Sequence, residues 1–266
     1  MMGTSYAVLG VLYRVAPGLN PIALVFSSGI ILLILFSIAG PLLVRRWSAI
    51  EQRMDWSSAK GRVAAECADQ LGFPQSRIHL LELRSGNRLV NAMATGLVPG
   101  GARIFVTVDL MEELTADEVA AVLAHEIGHV RGNHLRYAFL LQIGLLVLLN
   151  GVLFVTRNWV DLIEPLILGA VVYAMVITTL GAVLLPVSIA VAMRVAERRA
   201  DRYAASAGWG EALASALERL PGPDPASEDR PLILRAFSLH PSRSSRVEAL
   251  RTAVRVESFG PVSGSP

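Results

Sequence analysis

Residues 115–134 read Thr115-Ala-Asp-Glu118-Val-Ala-Ala-Val-Leu-Ala-His125-Glu126-Ile-Gly128-His129-Val-Arg131-Gly132-Asn133-His134. Thr115 followed three residues later by Glu118 is a capping box, in which each side chain satisfies the other's backbone N–H, so a helix is predicted from Ala116 to about Arg131. On that helix His125 and His129 stand one turn apart and project from one face, the spacing that lets two imidazoles share a metal ion. Glu126 sits beside that face, where its carboxylate can take a proton from a water whose pKa the metal lowers to about 7. The pattern therefore points to zinc-dependent hydrolysis, with His125 and His129 as ligands and Glu126 as general base.

Such a site takes a third protein ligand and keeps a fourth position open. His134 lies close in sequence, but on a continuous helix it points away from His129, and a polar neck at a membrane surface is the expected role. Glu197, in Glu197-Arg198-Arg199-Ala200-Asp201, is the better candidate. Asp201 follows one turn later on the same face, where it can accept a hydrogen bond from a ligating imidazole and fix its tautomer. Pairing of both carboxylates with the neighbouring arginines on a solvated face is the alternative reading of the same residues.

The 266-residue chain as a whole is 53% apolar and 17% charged, with a mean hydropathy of +0.51. Soluble domains carry about 25% charged residues, so an ordinary water-soluble globule is excluded. Residues 15–44, 137–156 and 165–193 contain no Asp, Glu, Lys or Arg. Each is long enough for about 20 helical residues across the hydrocarbon core, so three transmembrane helices are expected. The first is a retained anchor at 21–44, since no basic cluster precedes it and Arg45 and Arg46 follow it. Residues 6–16 are apolar but short and contain Arg14, which fits an interfacial segment.

The second and third runs form a hairpin, and the arginines flanking the runs place the intervening and following regions in the cytoplasm. The expected organisation is an anchor over 1–56, the first part of a catalytic domain over 57–136, a membrane hairpin over 137–193, the second part over 194–256 and a disordered tail over 257–266. Two crossings separate His129 from Glu197 and return the chain to the same side, so the halves of the site can meet. Counting helical rise, the metal is expected within roughly 6 to 12 Å of the membrane surface.

Between anchor and hairpin, 57–71 has apolar residues at helical spacing, while 78–83, 89–94 and 103–110 have strand character and are separated by turn residues. A small antiparallel sheet beside a mainly helical α+β domain is the expected class. One cysteine, Cys67, excludes an internal disulfide and reads as a core residue, and a net charge of +2 gives no ground for nucleic-acid binding. Residues 221–231 are proline-rich and acidic and read as a mobile loop.

With these residues in view, the chain resembles the HtpX-type membrane zinc metalloproteases, relatives of the eukaryotic prenylated-protein endopeptidase and of the mitochondrial inner-membrane stress protease. Over about 57–251, Asn91-Ala92-Met93-Ala94-Thr95-Gly96 resembles the family's Asn-Ala-Phe-Ala segment, with Met93 in place of Phe. His125 to His129 resembles its zinc helix, Glu197 to Asp201 its Glu-x-x-Ala-Asp motif, and His240-Pro241 with Arg246 its C-terminal elements. The family carries two N-terminal spans where one is evident here.

The resemblance implies a gluzincin-like fold interrupted by a membrane hairpin, one zinc ion per chain, and endopeptidase activity on membrane or membrane-proximal proteins in quality control and stress response. The site would face the cytoplasm at a bacterial cytoplasmic membrane, with the lipid bilayer and peptide substrates as partners and no nucleic acid. It further implies that Asn91, Ala92, Met93 and Ala94 form an edge strand that pairs with substrate, an ordinary hairpin strand being the other reading. His240 would stabilise the oxyanion or help bind substrate, against capping of the turn at Pro241, and Arg246 would contribute to substrate binding. A proteolytically silent metal-binding scaffold or holdase is the alternative function, and a protease gated by 221–231 is a second.

Overall fold

A four-stranded sheet and a group of helices packed on it make up the part of the molecule that carries the motifs. The computed structural model describes residues 49–83, 88–97, 100–160, 166–221, 238 and 240–258. The expected anchor at 21–44, the stretch 6–16, nearly all of the loop 221–231 and most of the tail lie outside the described residues.

The elements in chain order are strand β1 (Ala49–Arg53), helix α1 (Ala59–Gln70), strands β2 (Ile78–Leu83), β3 (Ala92–Thr95) and β4 (Arg103–Thr107), and helices α2 (Val108–Glu113), α3 (Ala116–Arg131), α4 (His134–Val160), α5 (Leu166–Ala204), α6 (Gly210–Arg219) and α7 (Arg243–Ser258). The described residues divide into two compact units, one drawn from 49–139 with 187–258 and the other from 140–186. One division falls at Pro186, inside α5.

In the first of these units the sheet order is β1-β2-β4-β3. The expected antiparallel sheet is corrected here to a mixed one, because β2 and β4 run parallel, Ile78 opposite Ile104, while β1–β2 and β3–β4 are antiparallel. The cause is the route of the chain: β3 and β4 form a hairpin, and it is the second strand of that hairpin that docks against β2, leaving β3 at the sheet edge. The expected strand 103–110 stops at Thr107 because its hydroxyl accepts from Leu110 N and caps α2. The strand expected at 89–94 is β3, shifted to Ala92–Thr95.

The core of this unit gathers Ile104 and Val106 of β4 with Ala64, Cys67 and Ala68 of α1, Val119, Leu123 and Ile127 of α3, and Leu213 and Leu217 of α6. α3 is its centre, buried along most of its length and packed on both α1 and α6. Its predicted capping box is present: Thr115 N donates to Glu118 Oε2 at 2.8 Å and Glu118 N to Thr115 Oγ1 at 3.4 Å. Glu118 is buried and also accepts from Ser215 Oγ at 2.6 Å and pairs with Arg219 Nε at 2.9 Å, which ties the start of α3 to α6. Cys67 is fully buried against α3, its Sγ 3.3 Å from Ala120 O, and burial pushes the thiol up to about 12. It is a core residue, as expected.

The other unit, among the described residues, consists of the 140–160 part of α4 and the 166–186 part of α5, the expected hairpin runs, both helical. Leu140, Leu141, Val147, Leu148 and Val152 on the first and Met175, Val183 and Leu184 on the second are exposed. The expected count of three transmembrane helices is not supported: the anchor lies outside the described residues, and among these no single helix is long and apolar enough to cross a membrane. Ala116–Arg131 and His134–Leu149, bent by 44° at the break between them, pass by length and composition only as a pair. The first member of that pair is the buried core helix α3, whose apolar character is explained by packing.

Candidate active site

Gly128 sets how closely the two halves of the site approach. A Cβ at that position would stand 3.1 Å from Ala200 Cα and 3.2 Å from Tyr203 Cβ, so α3 and α5 approach more closely than most side-chain contacts allow. That contact brings Glu197, on α5, against the histidine face of α3. His125 Nε2 and His129 Nε2 are 3.1 Å apart; Glu197 Oε2 is 3.5 Å from the first and Oε1 is 3.5 Å from the second. Ligands arranged tetrahedrally about zinc at 2.0–2.1 Å are separated by roughly 3.3 Å, so the three side chains are spaced as a metal would hold them.

The donor set fits zinc: among the described residues, His125, His129 and Glu197 form a group whose ligand atoms could hold a metal ion. Glu197 Oε2, buried, makes ion contacts without a directed hydrogen bond, which leaves it coordinating capacity.

Asp201 stands where the four-residue spacing expects it. Its Oδ1 is 2.9 Å from His125 Nδ1, although off the straight hydrogen-bond direction, so the carboxylate faces the ring nitrogen turned away from the cluster. Arg246, from α7, reaches both carboxylates: Nη1 to Glu197 Oε2 at 2.9 Å, Nε to Asp201 Oδ2 at 2.9 Å and Nη2 to Asp201 Oδ1 at 2.7 Å. Arg246, expected to contribute to substrate binding, is engaged here with the two acids. It is 9% exposed and absent from the cleft wall, and its guanidinium neutralises and orients two buried acids.

Burial alone would raise the carboxyl groups of Glu197 and Asp201, yet their contacts with His125 and, respectively, with His129 and with Arg246 hold both below the usual carboxylate range. Burial likewise works against a charged His125, but Asp201 and Glu197 outweigh it and hold the imidazole up at about 9 in the metal-free cluster.

His240 Nδ1 is 2.9 Å from Glu197 Oε1, and its side chain is half exposed. A cleft of about 620 Å³ opens over these groups, lined by Glu126, His129, Glu197, His240, Met193 and the segment 91–97. The four residues expected to meet substrate, Asn91, Ala92, Met93 and Ala94, are therefore on the same cleft as Glu126. Asn91 is fastened to β4 by Thr107, which donates through N and Oγ1 to its carbonyl and accepts from its N–H, and β3 continues from it along the edge.

His134 is the residue the sequence reading misplaced. The helix is not continuous: α3 ends at Arg131, Asn133 adopts φ 51°, and α4 starts at His134. The break turns the ring inward, 6% exposed, with Nδ1 3.1 Å from His129 Nδ1, rather than out toward a membrane surface. Burial pushes this imidazole down to about 4, and the nearby His129 and Arg199 add to the shift. Gly132-Asn133, a pair prone to end helices, was the available signal.

Comparisons with known proteins show what the chain is similar to. The model of Peptidase family M48 matches residues 60–254. Protease HtpX of Cellvibrio japonicus (strain Ueda107) is 34% identical over 182 residues, which are 60% of this chain and 61% of that protein, so the chain spans about three fifths of that relative's length. The crystal structure of S. mikatae Ste24p is similar in fold, with a TM-score of 0.65 at 21% identity over 94% of this chain and 63% of that one.

Proposed function

The chain belongs to peptidase family M48, and on that premise we propose that it is a membrane-embedded zinc endopeptidase that hydrolyses peptide bonds of membrane or membrane-proximal proteins. One observation carries the proposal: Glu126 and the edge strand β3 share a single cleft with the cluster of His125, His129 and Glu197.

His125, His129 and Glu197 would hold the zinc, one ion per chain. When bound, zinc supplies Lewis acidity, polarising the scissile carbonyl and making water a usable nucleophile near neutral pH. The free edge of β3 offers backbone N–H and C=O groups to an extended peptide, which gives affinity without strong sequence preference. Glu126 takes the proton of the attacking water and returns it to the leaving amine. His240, half exposed beside Glu197, donates to the oxygen on which negative charge develops.

The membrane setting rests on the uncharged runs 137–156 and 165–193 and on the exposed apolar side chains of α4 and α5. A hairpin of these two helices, with the anchor at 21–44, would hold the site on the cytoplasmic side of a bacterial cytoplasmic membrane, close to substrates leaving the bilayer. Removal of damaged membrane proteins is the role that the resemblance to the HtpX-type proteases implies.

The full chain in lipid nanodiscs is expected to carry about one zinc and to cleave casein or a membrane-inserted peptide. A chelator should abolish cleavage, and added zinc should restore it. Zinc bound at full occupancy with no product from either substrate would favour the silent scaffold, and absence of specific zinc binding would overturn the metal assignment.

A further inference from the structure

His129 has a zinc-facing nitrogen and a second one whose partner no motif identifies. Its Nε2 converges with His125 Nε2 and Glu197 Oε1, while its Nδ1 lies 3.1 Å from His134 Nδ1, the two rings meeting edge to face with centroids 5.0 Å apart. An imidazole that presents the Nε2 lone pair to a metal must carry its proton on Nδ1. The nitrogen opposite must then accept, so His134 is the Nε2–H tautomer.

We infer that His134 is a positioning residue for the metal centre, accepting a hydrogen bond from His129 Nδ1–H and thereby fixing the tautomer and ring plane of the second zinc ligand. The inference rests on the metal reading above. It gives His129 a neutral counterpart of what Asp201 does for His125, whose Nδ1 faces a carboxylate at 2.9 Å. Metal-bound histidines nearly always make such a contact through the other ring nitrogen, and its loss typically weakens metal binding 10- to 100-fold.

The backbone is shaped around this contact. Asn133 turns through φ 51°, a conformation that Asn tolerates better than most residues, and this breaks the helix between α3 and α4 with a bend of 44°. Gly132 leaves room for the ring: a Cβ there would meet His134 Nε2 at 2.2 Å and Cδ2 at 2.6 Å. Both residues before His134 thus admit an inward-facing imidazole.

The test is zinc affinity by chelator competition on the full chain in detergent, with folding followed by circular dichroism. His134→Leu, which keeps bulk but removes the acceptor, should weaken zinc binding 10- to 100-fold. His134→Asn places an amide oxygen where Nδ1 stood and should recover most of the loss, which a merely space-filling role does not explain. Wild-type affinity in a folded His134→Leu chain overturns the inference.

A second readout needs no variant. Long-range proton–nitrogen correlation of ¹⁵N-histidine zinc-loaded protein should show His129 protonated at Nδ1 and His134 protonated at Nε2 only; a His134 proton on Nδ1 overturns the assignment. His129→Ala separates the two claims. If it binds zinc as well as the wild type, the metal site itself is wrong, whereas loss of zinc there with none in His134→Leu removes only the role of His134.

Discussion

Gly128 of α3 lies against Ala200 of α5 so closely that a Cβ would stand 3.1 Å from the Ala200 Cα. Ala200 sits between Glu197 and Asp201, so this contact fixes the depth at which both carboxylates meet the histidine face. Gly128→Ala should be tolerated with a small shift of the helices, while Gly128→Val should force them apart, destabilise the fold by about 1–3 kcal/mol and lower zinc affinity disproportionately. Denaturant unfolding and chelator competition measure the two effects, and a Gly128→Val chain with wild-type zinc affinity would show that the approach is not what assembles the site.

Arg246 supplies the positive charge for two adjacent buried acids. Arg246→Met should leave Glu197 and Asp201 with only the neighbouring histidines as partners and destabilise the metal-free chain by about 3–5 kcal/mol. Added zinc should recover part of that loss by engaging Glu197, seen as a larger zinc-induced rise in unfolding midpoint than in the wild type. Arg246→Lys keeps the charge but not the paired N–H geometry and should fall between the two. An Arg246→Met chain as stable as the wild type without metal would contradict this.

How much of this was legible in the sequence follows from where each signal is stored. α3 was readable because its start is encoded by two residues three apart and its metal face by two residues four apart. Glu197 and Asp201 were readable for the same reason. Arg246 was recognised as a motif element, but its partner Asp201 lies 45 residues away, so its role in holding carboxylates appears only when α7 docks.

The strand β1, Ala49–Arg53, carries no apolar alternation, and its extended form comes from pairing with β2. The parallel β2–β4 pairing is a matter of chain routing, which local pattern does not carry. His134 was misplaced because helical continuity was assumed across Gly132-Asn133.

Glu118 makes the capping box sensitive to acid. Its burial works to raise the carboxyl group, but hydrogen bonds from Ser215 and Thr115 and the charge of Arg219 together hold it below its ordinary value of 4.5. A carboxyl depressed in the folded state stabilises fully above its unfolded pKa and loses that contribution as pH falls through the folded one. Glu118→Gln should therefore cost about 1–2 kcal/mol at pH 7, and the difference from wild type should shrink as pH falls below about 4.5. Denaturant titrations at both pH values check this; a difference unchanged at low pH would assign the effect to shape and not to charge.

The most direct test of the proteolytic assignment is Glu126→Gln in the full chain in nanodiscs, with bound zinc and cleavage of one membrane-inserted peptide measured on the same preparation. Glu126 lines the cleft, and the group of His125, His129 and Glu197 proposed to hold the metal does not include it. Zinc content should stay at about one per chain while turnover falls by at least 10²-fold. Undiminished cleavage by the zinc-loaded Glu126→Gln chain would contradict the role given to Glu126 and the hydrolytic mechanism built on it.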